Sequence, residues 1–163
     1  MKFKAVVLVL AIIAIIVVMT YALTVMNSNN IDVSSDQALS TIGTVKINDS
    51  EIRVEVAMTG AETARGLGGR SSLLEGKGMW FVFPKPELYG FWMKDMNFPI
   101  DIIWFDENAN IVAIRSNVRP ETYPEVFYPS VKALYVLEVP AHFAEKHGFN
   151  IGDSAEIHPQ APK

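Results

Sequence analysis

The sequence contains no cysteine among its 163 residues. That excludes disulfides, thiolate metal sites and cysteine nucleophiles, and it leaves the redox compartment open. Basic clusters are missing as well: 14 Lys and Arg stand against 18 Asp and Glu, a formal charge of −4. An acidic chain without a basic patch repels phosphate backbones, so nucleic acid is not expected as a partner. Histidine is scarce, at three residues. His142 and His147 are five apart and would point about 140° away from each other on a helix, while His158 lies near the C-terminus. Surface histidines are expected rather than a zinc site, and no metal or other cofactor is expected. Ser71 and Ser72 lack both a G-x-S-x-G elbow and a histidine placed to serve them. "GLGG" (66–69) has neither the lysine nor the spacing of a phosphate loop and reads as a helix stop. No residue is assigned a catalytic role.

Charge is also absent from residues 5–26, "AVVLVLAIIAIIVVMTYALTVM", whose only hydroxyl-bearing side chains are Thr20, Tyr21 and Thr24. As a helix this run reaches roughly 33 Å, enough for the hydrocarbon core. In lipid the backbone must satisfy its own hydrogen bonds, which overrides the low helix propensity of its β-branched residues. Lys2 and Lys4 precede the run and no Lys or Arg follows until Lys46. The positive-inside rule therefore predicts a single-pass anchor in the cytoplasmic membrane, N-terminus in the cytoplasm and the folded part outside. A cleaved signal peptide is the competing reading. The apolar region is long for one, and no small-x-small site follows it. Leaving out Lys2 and Lys4, 12 basic residues face 18 acidic ones, a formal charge of −6 on the exported portion.

Four segments follow from composition. Residues 1–26 are the transmembrane anchor or uncleaved signal, and 27–40, polar and Asn/Ser-rich, are a flexible linker. The folded domain is expected over 41–159, with 160–163 a tail. Within the domain the hydrophobic period is mostly 2. Ile52, Val54 and Val56 alternate with Glu51, Arg53 and Glu55, and "TVKIN" pairs with that strand through an Asn48-Asp49 turn. Further strands are expected at 79–83, 89–94, 100–106, 110–116 and 133–139. "IDIIWF" and "ALYVLEV" are apolar on both faces, as buried central strands are. "DENAN" (106–110) makes a second hairpin turn. Two short helices interrupt: one opens on a Thr59/Glu62 capping box and runs to about Leu67, the other starts at Pro140 and ends on Gly148. The fold class is mainly β, a compact sandwich or partly open barrel with two short helices behind one transmembrane helix.

Polar and aromatic side chains concentrate in "FWMKDMNFPID", residues 91–101. Read as a strand, it places Phe91, Met93 and Asp95 on one face and Trp92, Lys94 and Met96 on the other, so Lys94 and Asp95 do not pair. Each charge then needs its own partner, since an isolated buried charge costs several kcal/mol. Arg65 and Arg70 are the natural partners for Asp95 and Asp101. The candidate site is a cleft floored by Trp92 and Phe98, with Lys94, Asp95, Asp101, Arg65 and Arg70 as polar contacts. The bland alternative is that these charges cap strand ends and face water. The connection "SNVRPETYPEVFYPSV", with Pro120, Pro124 and Pro129, is neither inner strand nor helix. Tyr123, Phe127 and Tyr128 give it apolar area to pack back as a rigid flap, with Tyr128 at the cleft; sealing core is an equal reading.

"ARGLGGRSSL", "GMWFVF", "FWMKDMNFPIDIIWFD", "VLEV" and "GFNIGD" resemble, in order and spacing, the DUF192 family, also called UPF0127. The resemblance covers roughly residues 43–158. Its pattern falls on Arg65, Gly66, Leu67, Arg70, Gly78, Met79, Phe91, Trp92, Met93, Lys94, Pro99, Asp101, Glu138, Gly152 and Asp153. It implies a mainly-β domain, commonly exported, and supplies no activity. The chain departs from the family's usual Met at Gly68, Asn at Asp95, Thr at Met96 and Gly at His142. An Asn that exchanges with Asp is a poor candidate for an obligatory acid or base, which moves weight from Asp95 to Lys94 and Asp101. The leading expectation is a domain that binds a small molecule or an extended peptide without chemistry of its own. The alternatives are a glycosidase-like hydrolase using Asp95 and Asp101, or a structural protein contacting an envelope partner through Tyr128.

Overall fold

The structure, a computed structural model, describes residues 43–159. The expected anchor and linker lie outside the described residues. Within those residues no helix is long and apolar enough to cross a membrane.

Strands β1 (Gly43–Ile47) and β2 (Ser50–Ala57) form the expected hairpin around Asn48-Asp49. Helix α1 (Gly60–Arg65) follows, then β3 (Lys77–Glu87), β4 (Ile100–Phe105) and β5 (Ile111–Val118). A 3₁₀ turn at Pro120–Thr122 leads to β6 (Ala133–Pro140), helix α2 (Phe143–Lys146) and β7 (Ala155–Pro159). All seven strands belong to one sheet, in the order β5-β4-β6-β3-β2-β1-β7. The sheet curls until its edges meet: Asn110 bridges Ser154, and the amides of Ile111 and Ala155 donate to the carbonyls of Asp153 and Ala109, both at 2.8 Å. Of the two expected architectures the partly open barrel is the one observed, because a single sheet closes on itself instead of two sheets facing each other.

Strand parity sorts the core into two layers. Val54, Trp80, Ile103, Phe105, Leu137 and Val139 pack on one face. Ala57, Met79, Phe81, Ile102, Trp104 and Val136 pack on the other, beneath the loops that carry Leu67 and Met93. β4 is buried at every position and lies between β5 and β6, as its run of apolar residues predicts. β2 and β3 pair in parallel, so residues 58–76 must cross over. That crossover carries α1 and the glycine-rich segment after it.

Some expected elements differ. Residues 89–94 are not a strand; only Phe91 bridges, to Phe127, and Lys94-Asp95 form a turn. Asp95 takes a left-handed backbone, φ 58°, which ends the alternation and leaves Met96 packed against the second core layer. Pro140 ends β6 instead of opening α2, which begins after His142. α1 stops at Arg65, two residues short of Leu67. β7 was not expected: Glu156 and His158 interrupt an already short run.

Candidate functional site

The register places four side chains in a row across the second face: Glu55 on β2, Met79 on β3, Glu138 on β6 and Ile102 on β4. The next row is Ala57, Phe81, Val136 and Trp104. Above these rows, the C-terminal end of α1 and the segment 89–96 face each other across a cleft of ≈ 200 Å³. Phe81, Phe83 and Glu138 come from the sheet. Thr63 to Gly68 form one wall, and Tyr89, Gly90, Phe91, Trp92, Lys94 and Met96 the other.

Local structure holds each wall. The Thr59 hydroxyl accepts the Glu62 amide at 3.2 Å, and the Glu62 carboxylate accepts the Thr59 and Met58 amides at 2.9 and 3.0 Å. Those two amides hold the Glu62 carboxyl below its ordinary range. The helix stops at Gly66, where φ 50° and ψ −134° suit only a glycine. A Cβ there would lie 3.6 Å from Phe81 and 3.9 Å from Glu138 Oε2, in the cleft itself. The two walls are tied together below the cleft: the Gly69 amide donates to the Asp95 carbonyl at 2.8 Å, and Asn97 Nδ2 to the Arg70 carbonyl at 2.8 Å. Across the opposite wall, Tyr89 stacks on Phe83 with centroids 3.6 Å apart, and its carbonyl accepts Trp104 Nε1 at 2.9 Å.

Glu138 is the unusual group. It is 5 % exposed, and its Oε2 has no hydrogen-bond partner. Burial pushes its carboxyl up to about 8, against the opposing pull of the Arg70 guanidinium. A buried carboxyl without a protein partner, at the floor of an open cleft, makes Glu138 the candidate binding group.

Of the eight candidate residues, Arg65, Trp92 and Lys94 line this cleft and five do not. Arg70 makes a bidentate pair with Glu55, both bonds 2.9 Å, so it is not the partner of Asp95 or Asp101. Asp101 is fully buried, and its two oxygens accept the amides of Asn117 (2.8 Å), His142 (2.9 Å) and Ala144 (2.9 Å). It fastens β4 to the end of β5 and to α2, which leaves no carboxylate free for a ligand or for acid–base work. Asp95 contributes its carbonyl to the turn, and no ion pair with Lys94 forms among the described residues. Phe98 packs into the second core layer instead of flooring the cleft. Tyr128 lies over Gly90 on the outer side: a Cβ on Gly90 would come within 2.5 Å of its ring. The flap is thus joined to the cleft wall through Gly90 and through the Phe91–Phe127 bridge, whose two bonds measure 2.9 and 2.8 Å.

Glu138 is absent from the site expected from sequence, although the sequence carried its signal. A lone acid in "ALYVLEV", a strand buried on both faces, requires a partner or a purpose. Gly66, Phe81 and Phe83 carried no such mark. A larger hollow of ≈ 640 Å³ opens between Val54, Val56, Trp80, Val82, Tyr135 and Ile157. Its walls are apolar and no unpartnered polar group converges there, so the smaller cleft is the better candidate. No group of three or more His, Asp or Glu side chains among the described residues is placed to share a metal ion.

The DUF192 family model, described as "Uncharacterized ACR, COG1430", matches residues 43–157. The chain belongs to the DUF192 family. A crystal structure of a protein of unknown function from Novosphingobium aromaticivorans DSM 12444 is 30% identical with a TM-score of 0.66; the match covers 69% of this chain and 83% of that one. A second, a putative transcription regulator from Sinorhizobium meliloti 1021, is 24% identical with a TM-score of 0.67, covering 70% and 92%. At that identity the likeness shows the fold alone. The comparison with curated proteins returns no match. The DUF192 description assigns no activity, so the function rests on the cleft.

Proposed function

We propose that this DUF192 chain is a membrane-tethered, extracytoplasmic binding domain that takes a small molecule, or one residue of an extended peptide, in the cleft and does no chemistry of its own. The uncharged run 5–26 behind Lys2 and Lys4 supports the tether and its orientation. The observation that carries the binding reading is Glu138, whose buried Oε2 lacks a partner at the floor of an open, aromatic-walled cleft. Glycosidase-like chemistry through Asp95 and Asp101 is set aside, because three backbone amides occupy the Asp101 carboxylate.

Thermal unfolding of the full chain against a metabolite and glycan library tests the binding. At least one compound should raise the melting temperature, as any ligand of the native state does by mass action. The rise should shrink in Lys94→Ala, an exposed substitution that leaves the fold intact. A library without a single hit, or hits indifferent to both Lys94→Ala and Glu138→Gln, would sink the reading. The tether is checked separately, by mass spectrometry of the membrane fraction. Recovery of Met1 or its immediate successor is expected, and a chain starting near Asn27 would overturn the anchor.

A further inference from the structure

We infer that the ligand is a small hydroxylated anion, no larger than about one sugar ring, whose charged group sits on Arg65 and Lys94 and whose hydroxyl reaches Glu138. The inference rests on the binding reading above and gives it a chemical class.

Charge sets the first half. Arg65, Lys94 and Glu138 are the charged side-chain types lining the cleft. Arg65 and Lys94 are exposed and make no ion pair among the described residues, whereas Arg70, five residues on and beyond the helix, is already spent on Glu55. Two uncompensated cations at the mouth, on a chain of net charge −4, attract an anion and repel an ammonium. The guanidinium fork suits carboxylate and phosphate oxygens alike.

Depth sets the second half. A carboxyl held neutral by burial offers an O–H and an acceptor oxygen together. A hydroxyl is the smallest group that can answer both, whereas a second anion at that depth would meet only Arg70, already held in its bidentate pair with Glu55. The walls of Phe81, Phe83, Phe91 and the half-exposed Trp92 give the ligand's carbon frame apolar faces to lie on. Volume sets the limit. A space of ≈ 200 Å³ equals that of about seven waters, below the range of sites for drug-sized ligands.

The test is calorimetric titration of the full chain with four probes: glucuronate, glucose 6-phosphate, glucose and benzoate. Saturable binding of at least one of the first two is expected, and which one binds separates carboxylate from phosphate recognition. Glucose, without the charge, and benzoate, without the hydroxyls, should each bind at least about tenfold more weakly. Arg65→Ala and Lys94→Ala should weaken the anionic probe by a larger factor than they weaken glucose. Glu138→Leu should remove the advantage of glucuronate over benzoate, with folding verified by its melting transition. Benzoate binding as tightly as glucuronate overturns the hydroxyl contact, and glucose binding as tightly overturns the anion contact. Failure of all four while another library compound binds the cleft overturns the class and spares the binding reading. Failure of every compound tried removes both.

Discussion

Glu138 carries a proton on terms that differ between the folded and unfolded chain, and that difference is measurable without any ligand. Its ordinary value is 4.5, and burial on β6 raises it to about 8. Between those values the native state holds a proton that the unfolded state has released, so stability falls as pH rises. The contribution is fully present below about 4.5 and is lost through about 8, a swing of several kcal/mol at most. The lowered carboxyls of Glu62, Glu75 and Asp153 act in the opposite sense and at lower pH, because their contribution fades as pH falls through their own range. Melting temperature measured from pH 5.5 to 8.5 should therefore decline in the wild type and decline much less in Glu138→Gln. Equal slopes would mean that Glu138 is solvated or already paired. Asp101 is the contrasting acid, since both of its oxygens are taken up by backbone amides. Asp101→Ala strands the amides of Asn117, His142 and Ala144 and should cost about 3 kcal/mol or more in chemical denaturation. Asp101→Asn, which keeps one acceptor oxygen, should lose less.

At the scale of elements, periodicity made the regular parts legible and hid the irregular ones. The β1–β2 hairpin, the Asp106–Asn110 turn, both central strands and the Thr59 cap follow from alternation and turn chemistry, and all are present. Alternation failed at 91–96, where one left-handed residue at Asp95 converts an apparent strand into a turn. Asn and Asp both tolerate that backbone, so the Asn that the family resemblance implies at this position would fit the same turn. His142 is also left-handed at φ 65°, a backbone that would suit the glycine implied there by the family resemblance. The site was legible only in part. Arg65, Trp92 and Lys94 were marked by residue type, but their convergence on Glu138 depends on the β3–β6 register and on the crossover after β2, neither of which is local. The flap depends on Gly90 in the same non-local way. A methyl there would stand 2.5 Å from the Tyr128 ring and 2.6 Å from Val126. Gly90→Ala should displace the flap at a cost of about 1–3 kcal/mol and weaken cleft binding with it. Unchanged stability and a native Tyr128 environment by NMR would show that the flap is not seated as described.

At the largest scale described, the seven-stranded sheet closes where the start of β5 meets the turn before β7. Asp153 holds that corner from three sides. Its carboxylate accepts the Asn150 amide at 2.9 Å and Asn48 Nδ2 at 3.0 Å, while its carbonyl accepts the Ile111 amide at 2.8 Å. The turn that it shapes, the β1–β2 hairpin tip and the β5 edge are therefore fastened through one residue. Without that corner the curled sheet would present two open edges, β5 and β7, each with unpaired backbone groups. The cleft lies on the sheet's other face and shares no residue with the corner. Closure and binding should accordingly separate under mutation. In Asp153→Ala the amides of Ile111 and Ala155 should lose hydrogen-exchange protection well before those of β4 and β6, which stay paired on both sides. The melting temperature should fall most at neutral pH and approach the wild type as acid protonates Asp153 itself, because its lowered carboxyl stabilises the native chain only while ionised. Binding in the cleft, measured below the melting transition, should stay within about threefold of wild type, as additivity between distant sites requires. Protection lost uniformly across the sheet would instead mean that the barrel opens as one cooperative unit and that the corner is part of its core.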